Sequence, residues 1–204
     1  MSRSEYLPPE CWRGLYRVMQ RENVNAMRVS IETGMRIDDV LSLRTEQLGT
    51  RERGKRVFEY TAKKTGKTAK VEISLDLWRE LRACAGDLWV FSGRNPEKHR
   101  TRQAVYKDVK KAVSLLGIEG QISPHSARKT FAVELRKKSG LAEVQKALQH
   151  SDRETTNLYA FADIATRSNR NIGDIEDIAE VIAEKVVEKL CLLSENTDNK
   201  SKNA

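Results

Sequence analysis

Ser123-Pro124-His125-Ser126-Ala127-Arg128-Lys129-Thr130 starts a helix and sets out its chemistry within two turns. Serine caps helix N-termini well, and proline suits the first helical position, where a missing N–H costs nothing. His125 and Arg128 stand three residues apart, so both side chains leave one face near the positive end of the helix dipole. That arrangement suits an anion, although H-x-x-R by itself is a common accident. The spacing predicts a helix from Pro124 to Ser139, stopped by Gly140, and a short one from Leu141 to Gln149. Leu148-Gln149-His150 closes that stretch. Ser151-Asp152-Arg153-Glu154 then has the form of a capping box for another helix, which holds Tyr159 nine residues after His150.

Upstream, Pro8 and Pro9 open a helix to about Gln20, with Trp12, Leu15, Tyr16 and Met19 on one apolar face. A second helix covers about Val24 to Thr33, and Gly34 stands where a left-handed cap is wanted. Arg36 to Leu43 forms a third, so the glycine fixes where Arg36 points. From Val57 to Ile73 the residues turn β-prone around Thr65-Gly66, the pattern of a hairpin. Helical spacing returns over Leu75 to Ala85 and Thr101 to Leu116. The chain therefore reads as mainly α with a small antiparallel β-sheet, an α+β fold.

The charge is uneven. Of 37 basic and 29 acidic residues, residues 174–193 hold six acids and two bases. Residues 1–173 keep 33 bases against 21 acids, a net +12 that makes the body a candidate for binding a polyanion, nucleic acid first. Asp174 to Leu193 spaces Ile175, Ile178, Ile182, Val186 and Leu190 at steps of three and four, an amphipathic helix that packs on its own core or on a neighbouring subunit. The polar stretch from Ser194 to Ala204 is expected to be disordered.

Several chemistries are excluded. The chain lacks an apolar run long enough for a membrane span or a signal peptide, and Cys11, Cys84 and Cys191 are odd in number and far apart. It reads as cytosolic, without disulfides, a thiolate metal site or a membrane partner. Thr65-Gly66-Lys67-Thr68 ends like a phosphate-binding loop, but Thr61 stands where the Walker pattern needs glycine. His99, His125 and His150 have no partner at metal-ligand spacing, so no metal is expected, and His99 reads as an ordinary surface or core residue.

Taken together, these residues resemble the catalytic domain of the tyrosine recombinases, or phage integrases. That family carries an arginine after a helix-ending glycine with an acid three positions on, as Arg36 and Asp39 stand here. It carries a hairpin lysine before a turn, as Lys64 does; an H-x-L-R box, here His125 to Arg128; L-G-H, here Leu148 to His150; and a tyrosine nine residues later, here Tyr159. The resemblance runs from about Leu7 to Ala165. Ala127 and Gln149 replace the usual Leu and Gly, Lys129 stands where a second histidine is common, and Lys63 and Lys67 compete with Lys64 for the lysine role.

The resemblance implies the family's DNA breaking-rejoining fold over residues 1–173, with 174–193 as a helix docking on the next subunit and 194–204 as a tail. It implies cleavage and rejoining of DNA through a 3′-phosphotyrosine, with Tyr159 as nucleophile and Arg36 and Arg128 holding the phosphate. Lys64 protonates the leaving oxygen, His125 assists proton transfer, His150 donates to the phosphate and Asp39 orients neighbouring side chains. Neither metal nor ATP is required, because the phosphotyrosine keeps the bond energy. Double-stranded DNA is the partner, with a homotetramer on it and a place on the nucleoid when bound. Arg44, Lys67, Arg94, Lys98, Arg100, Arg102 and Lys129 are candidates for duplex contacts. The family normally adds an N-terminal DNA-clamping domain, and this chain starts where the catalytic domain would, so a fragment and a short member both remain open. Competing readings are a non-catalytic DNA-binding regulator, a type IB topoisomerase-like relaxing enzyme and a metal-dependent nuclease.

Overall fold

A computed structural model describes residues 4–49 and 56–148. Six helices and one hairpin follow in chain order: α1 (Pro9–Tyr16), α2 (Arg21–Thr33), α3 (Ile37–Leu41), β1 (Arg56–Thr61), β2 (Thr68–Ile73), α4 (Leu75–Cys84), α5 (Arg102–Leu115) and α6 (Pro124–Leu148). A 3-10 turn, Thr45–Leu48, precedes the hairpin. His150, Tyr159, the amphipathic stretch 174–193 and the tail 194–204 lie outside the described residues.

α1 ends four residues earlier than its apolar spacing predicts, and the reason sits on α5. Asp108 accepts the backbone N–H of Gln20 (2.9 Å) and the side-chain amide of Asn23 (2.6 Å), placing a carboxylate at the N-terminus of α2. The chain turns there, and α2 starts at Arg21 instead of Val24. At its other end Gly34 takes φ +71°, as expected of a left-handed cap. A second constraint was invisible in the sequence: a Cβ on Gly34 would lie 2.5 Å from Phe131 Cδ1 and 2.9 Å from Leu148 Cδ2.

The two strands pair antiparallel from Arg56 with Ile73 to Thr61 with Thr68. Along β1, Arg56, Phe58 and Tyr60 are buried while Val57, Glu59 and Thr61 are exposed, the alternation of a half-buried strand. The tip closes with Ala62 accepting from the Thr65 and Gly66 N–H groups, so Lys63 and Lys64 stand in the turn.

α6 packs mainly on α2. Gly140, at φ 80° and ψ 177°, breaks it where the sequence predicts a stop. Its first turns bury polar as well as apolar residues: Ser126 and Thr130 are inaccessible, Arg128 is 2% exposed and Lys129 8%. Buried polar groups need partners, and Thr130 has them: its hydroxyl accepts from Trp12 Nε1 (2.9 Å) and donates to the Leu7 carbonyl (2.7 Å), tying α1 to α6. Ala127, where the family resemblance expects leucine, is fully buried in the main core with Met27, Leu41 and Phe58.

Candidate active site

Arg36 is aimed by the link that precedes it. Thr33 Oγ1 accepts the Met35 N–H (3.2 Å), and Ser30 Oγ donates to the Met35 carbonyl (2.8 Å), so both backbone groups of Met35 are held. Arg36 follows in an extended conformation (φ −68°, ψ 145°) as the residue before α3. Its half-buried side chain enters a cavity of about 450 Å³ that also receives His125, Arg128 and Arg102. Residues at the end of α2 and at the starts of α5 and α6 thus meet in one cleft.

Arg128 reaches further than its place in the cavity wall. Its guanidinium donates to the Gly34 carbonyl and, at 2.8 Å, to the Leu148 carbonyl. The Gly34 carbonyl belongs to the C-cap of α2, where backbone acceptors lack intrahelical partners and the dipole favours a cation. A buried charge is therefore compensated here by two backbone carbonyls, one of them at a helix end.

His125 follows Pro124 in the first turn of α6, and its N–H points to Ser123 Oγ at 3.3 Å, the cap expected from the sequence. Loss of hydration against the cavity wall, followed by the charges of Arg128, Lys129, Arg36 and Lys64, pushes the imidazole down to about 4. The ring is neutral at neutral pH.

Lys64 is exposed, and its charge is among those felt at His125. Asp39 is 4% exposed, and its Oδ1 accepts the backbone N–H of Lys63 (3.0 Å), the residue before Lys64. This bond ties the carboxylate to the hairpin tip. Sequence reading also passed over Tyr60 and Tyr106. Burial pushes the Tyr60 hydroxyl above its ordinary value against the opposing pull of Arg128, with Asp39 adding to the rise and Arg36 opposing it. Its β1 alternation was the available signal. Tyr106 lines the cavity from α5.

The candidate duplex contacts divide. Lys67, Arg94 and Lys98 are exposed, and exposed Arg44 stacks 3.8 Å over the Trp89 ring, whose centroid lies 5.1 Å from that of the His99 ring. Arg100 is turned inward, donating to Asn23 Oδ1 (2.5 Å) and to Gln20 Oε1. Lys129 is buried, and its charge acts on His125; it is not a solvated surface cation. Arg102 is exposed and pairs with Asp38 at 3.4 Å. Among the described residues, no three His, Cys, Asp or Glu gather as a metal would need, and no helix is long and apolar enough to cross a membrane.

Over residues 7–165 the chain matches the phage integrase family. It is similar to the tyrosine recombinase XerD of Shewanella oneidensis, with 30% identity over 135 residues that cover 62% of this chain and 45% of that protein. Among solved structures it is similar to the XerH site-specific recombinase bound to difH substrate in a pre-cleavage complex. The TM-score is 0.65 at 21% identity, over 78% of this chain and 51% of that one. A lambda integrase dimer bound to a COC′ core site gives a TM-score of 0.62 at 16% identity, over 78% and 48%. These likenesses establish the fold. The chain spans about half the length of the curated XerD relatives that cover most of it.

Proposed function

The chain belongs to the phage integrase family, and on that premise we propose that it is the catalytic part of a tyrosine site-specific recombinase acting on double-stranded DNA. The observation that carries this is the meeting of Arg36, His125 and Arg128, from two distant parts of the sequence, in one cavity where the charge of Lys64 is also felt. In the proposed reaction the Tyr159 oxygen attacks the scissile phosphorus, the bond to the 5′ oxygen breaks, and a 3′-phosphotyrosine forms. Neutral His125 accepts the tyrosine proton and Lys64 supplies one to the departing oxygen. Arg36 and Arg128 hold the non-bridging oxygens by charge-assisted hydrogen bonds, with His150 adding a donor. Attack by the 5′ hydroxyl of a second strand then reverses the step with exchanged ends.

Exposed Arg44, Lys67, Arg94 and Lys98 supply duplex phosphate contacts, which position the protein without reading sequence. The acidic amphipathic stretch 174–193 docks on a neighbouring copy and builds the tetramer on DNA; its acids and regular apolar spacing support that reading.

The experiment is a covalent-trapping assay with nicked suicide duplexes of randomised sequence in EDTA, resolved on a denaturing gel. We expect an adduct that survives detergent, disappears in Tyr159→Phe and persists in Tyr106→Phe. Loss in Tyr106→Phe alone moves the nucleophile into α5. Binding without any adduct favours a non-catalytic regulator, and cleavage abolished by EDTA favours a metal-dependent nuclease.

A further inference from the structure

The cavity that gathers Arg36, Arg102 and Arg128 has one acid in its wall among the described residues, Asp38, an odd neighbour for a phosphodiester. Its Oδ2 lies 3.4 Å from Arg102 Nη1, and the two side chains are 53% and 67% exposed. Asp38 stands in the first turn of α3 and Arg102 opens α5, so the pair joins two elements at the cavity mouth. Asp39, the next residue, turns inward to the hairpin. The two adjacent carboxylates therefore do different work, and the outer one has no evident structural duty beyond Arg102.

We propose that Asp38 is a specificity-determining residue: it holds Arg102 in an ion pair that a DNA phosphodiester must displace, and so suppresses binding to duplexes that offer Arg102 no better acceptor. This rests on the reading of the cavity as a DNA site. An ion pair this exposed is weak and screened, which lets a correctly placed phosphate or base edge open it while taxing random encounters. The carboxylate also repels the incoming phosphate, so the surrounding cations do not make the site indiscriminately adhesive. Affinity for non-specific DNA follows the number of phosphates neutralised, and Asp38 removes Arg102 from that number.

The test measures binding of the full chain to a random-sequence duplex by fluorescence anisotropy across a salt titration. The variants are Asp38→Asn, Asp38→Ser, Arg102→Gln and the double variant Asp38→Asn/Arg102→Gln. Both Asp38 variants are expected to bind roughly twofold to fivefold more tightly than the parent. Their salt dependence should steepen by up to about 0.9 in logarithmic slope as Arg102 engages a phosphate. In the Arg102→Gln background the gain should shrink to the smaller part that comes from removing the carboxylate's repulsion of phosphate. An equal gain in that background would make Asp38 a plain surface charge and overturn the proposal, as would unchanged or weaker binding in both Asp38 variants. Duplex binding by the parent that ignores Asp38 defeats this inference alone, whereas no duplex binding by any variant defeats it together with the DNA reading.

Discussion

The guanidinium of Arg128 holds the carbonyl of Gly34, 94 residues away in sequence, and with its other terminal nitrogen the carbonyl of Leu148. Gly34 stands two residues before Arg36, and Leu148 two before His150. One side chain therefore fixes the backbone next to two other motif residues while itself facing the cavity. Arg128 is thus a clasp for the site as well as a phosphate ligand in the proposed reaction.

Arg128→Lys keeps the charge and loses the fork, because a single ammonium is a point charge and not a planar pair of donors. We expect covalent trapping on suicide duplex to fall about a hundred- to thousandfold, together with a lower urea midpoint. Arg128→Ala leaves both backbone carbonyls without their cation, and a loss of about 1–3 kcal/mol in urea unfolding is expected for acceptors so stranded. A lysine variant with parental stability and parental trapping would show that the clasp does not matter.

Gly34→Ala tests the same junction from the other side. The new methyl meets Phe131 and Leu148 at distances that require something to shift, on a backbone at φ +71° that a side chain strains. The left-handed conformation costs roughly 1–2 kcal/mol and overpacking about 1–3 kcal/mol more. Urea unfolding should report the sum, and Phe131→Leu in the same chain should recover part of it by removing the ring.

Much of this site was legible because its parts are local. Gly34 as a cap, Gly140 as a stop and the Ser123-Pro124 helix start follow from backbone preferences of single residues, and the hairpin follows from β-prone alternation around Gly66. What escaped was set by distant contacts. Asp108 shortens α1 by capping α2 across 88 residues, and no pattern near Gln20 records it. Arg100 and Lys129 read as surface cations, yet Asn23 and Gln20 take the first and the packing of α6 buries the second. α6 deceives because it is buried nearly all round its first turns with polar groups satisfied by tertiary partners, so an amphipathic template fits it poorly.

Asp39 gives a prediction about the lysine. Its carboxylate accepts the Lys63 N–H, and its Oδ2 is buried with no hydrogen-bond partner among the described residues. Asp39→Ala frees the hairpin tip that presents Lys64. We expect slower cleavage of an ordinary phosphodiester, with much of the loss recovered on a substrate whose 5′-bridging oxygen is replaced by sulfur, since a thiolate leaves without a general acid. Equal loss on both substrates would place the defect in phosphate binding and remove Lys64 from the acid role.

His125 adds a pH dependence of its own to the stability of the fold. Its ordinary value of 6.5 falls to about 4 in the folded chain, through lost hydration first and then the charges of Arg128, Lys129, Arg36 and Lys64. Between those values the unfolded chain binds a proton that the folded chain refuses, so stability declines as pH drops from 6.5 towards 4 and this contribution levels off below. Because the residue keeps contact with solvent, screening makes the effect modest. The urea midpoint should therefore decline more steeply over that window in the parent than in His125→Gln. Above about pH 5 the imidazole is already neutral, so trapping on suicide duplex by the parent should show no acid limb from this residue until the pH approaches the folded value. Bound phosphate adds negative charge beside the ring and shifts that limb upward, which the pH dependence of trapping under saturating and limiting DNA would reveal. A limb centred at 6.5 in both conditions would mean that the cations around His125 do not govern it.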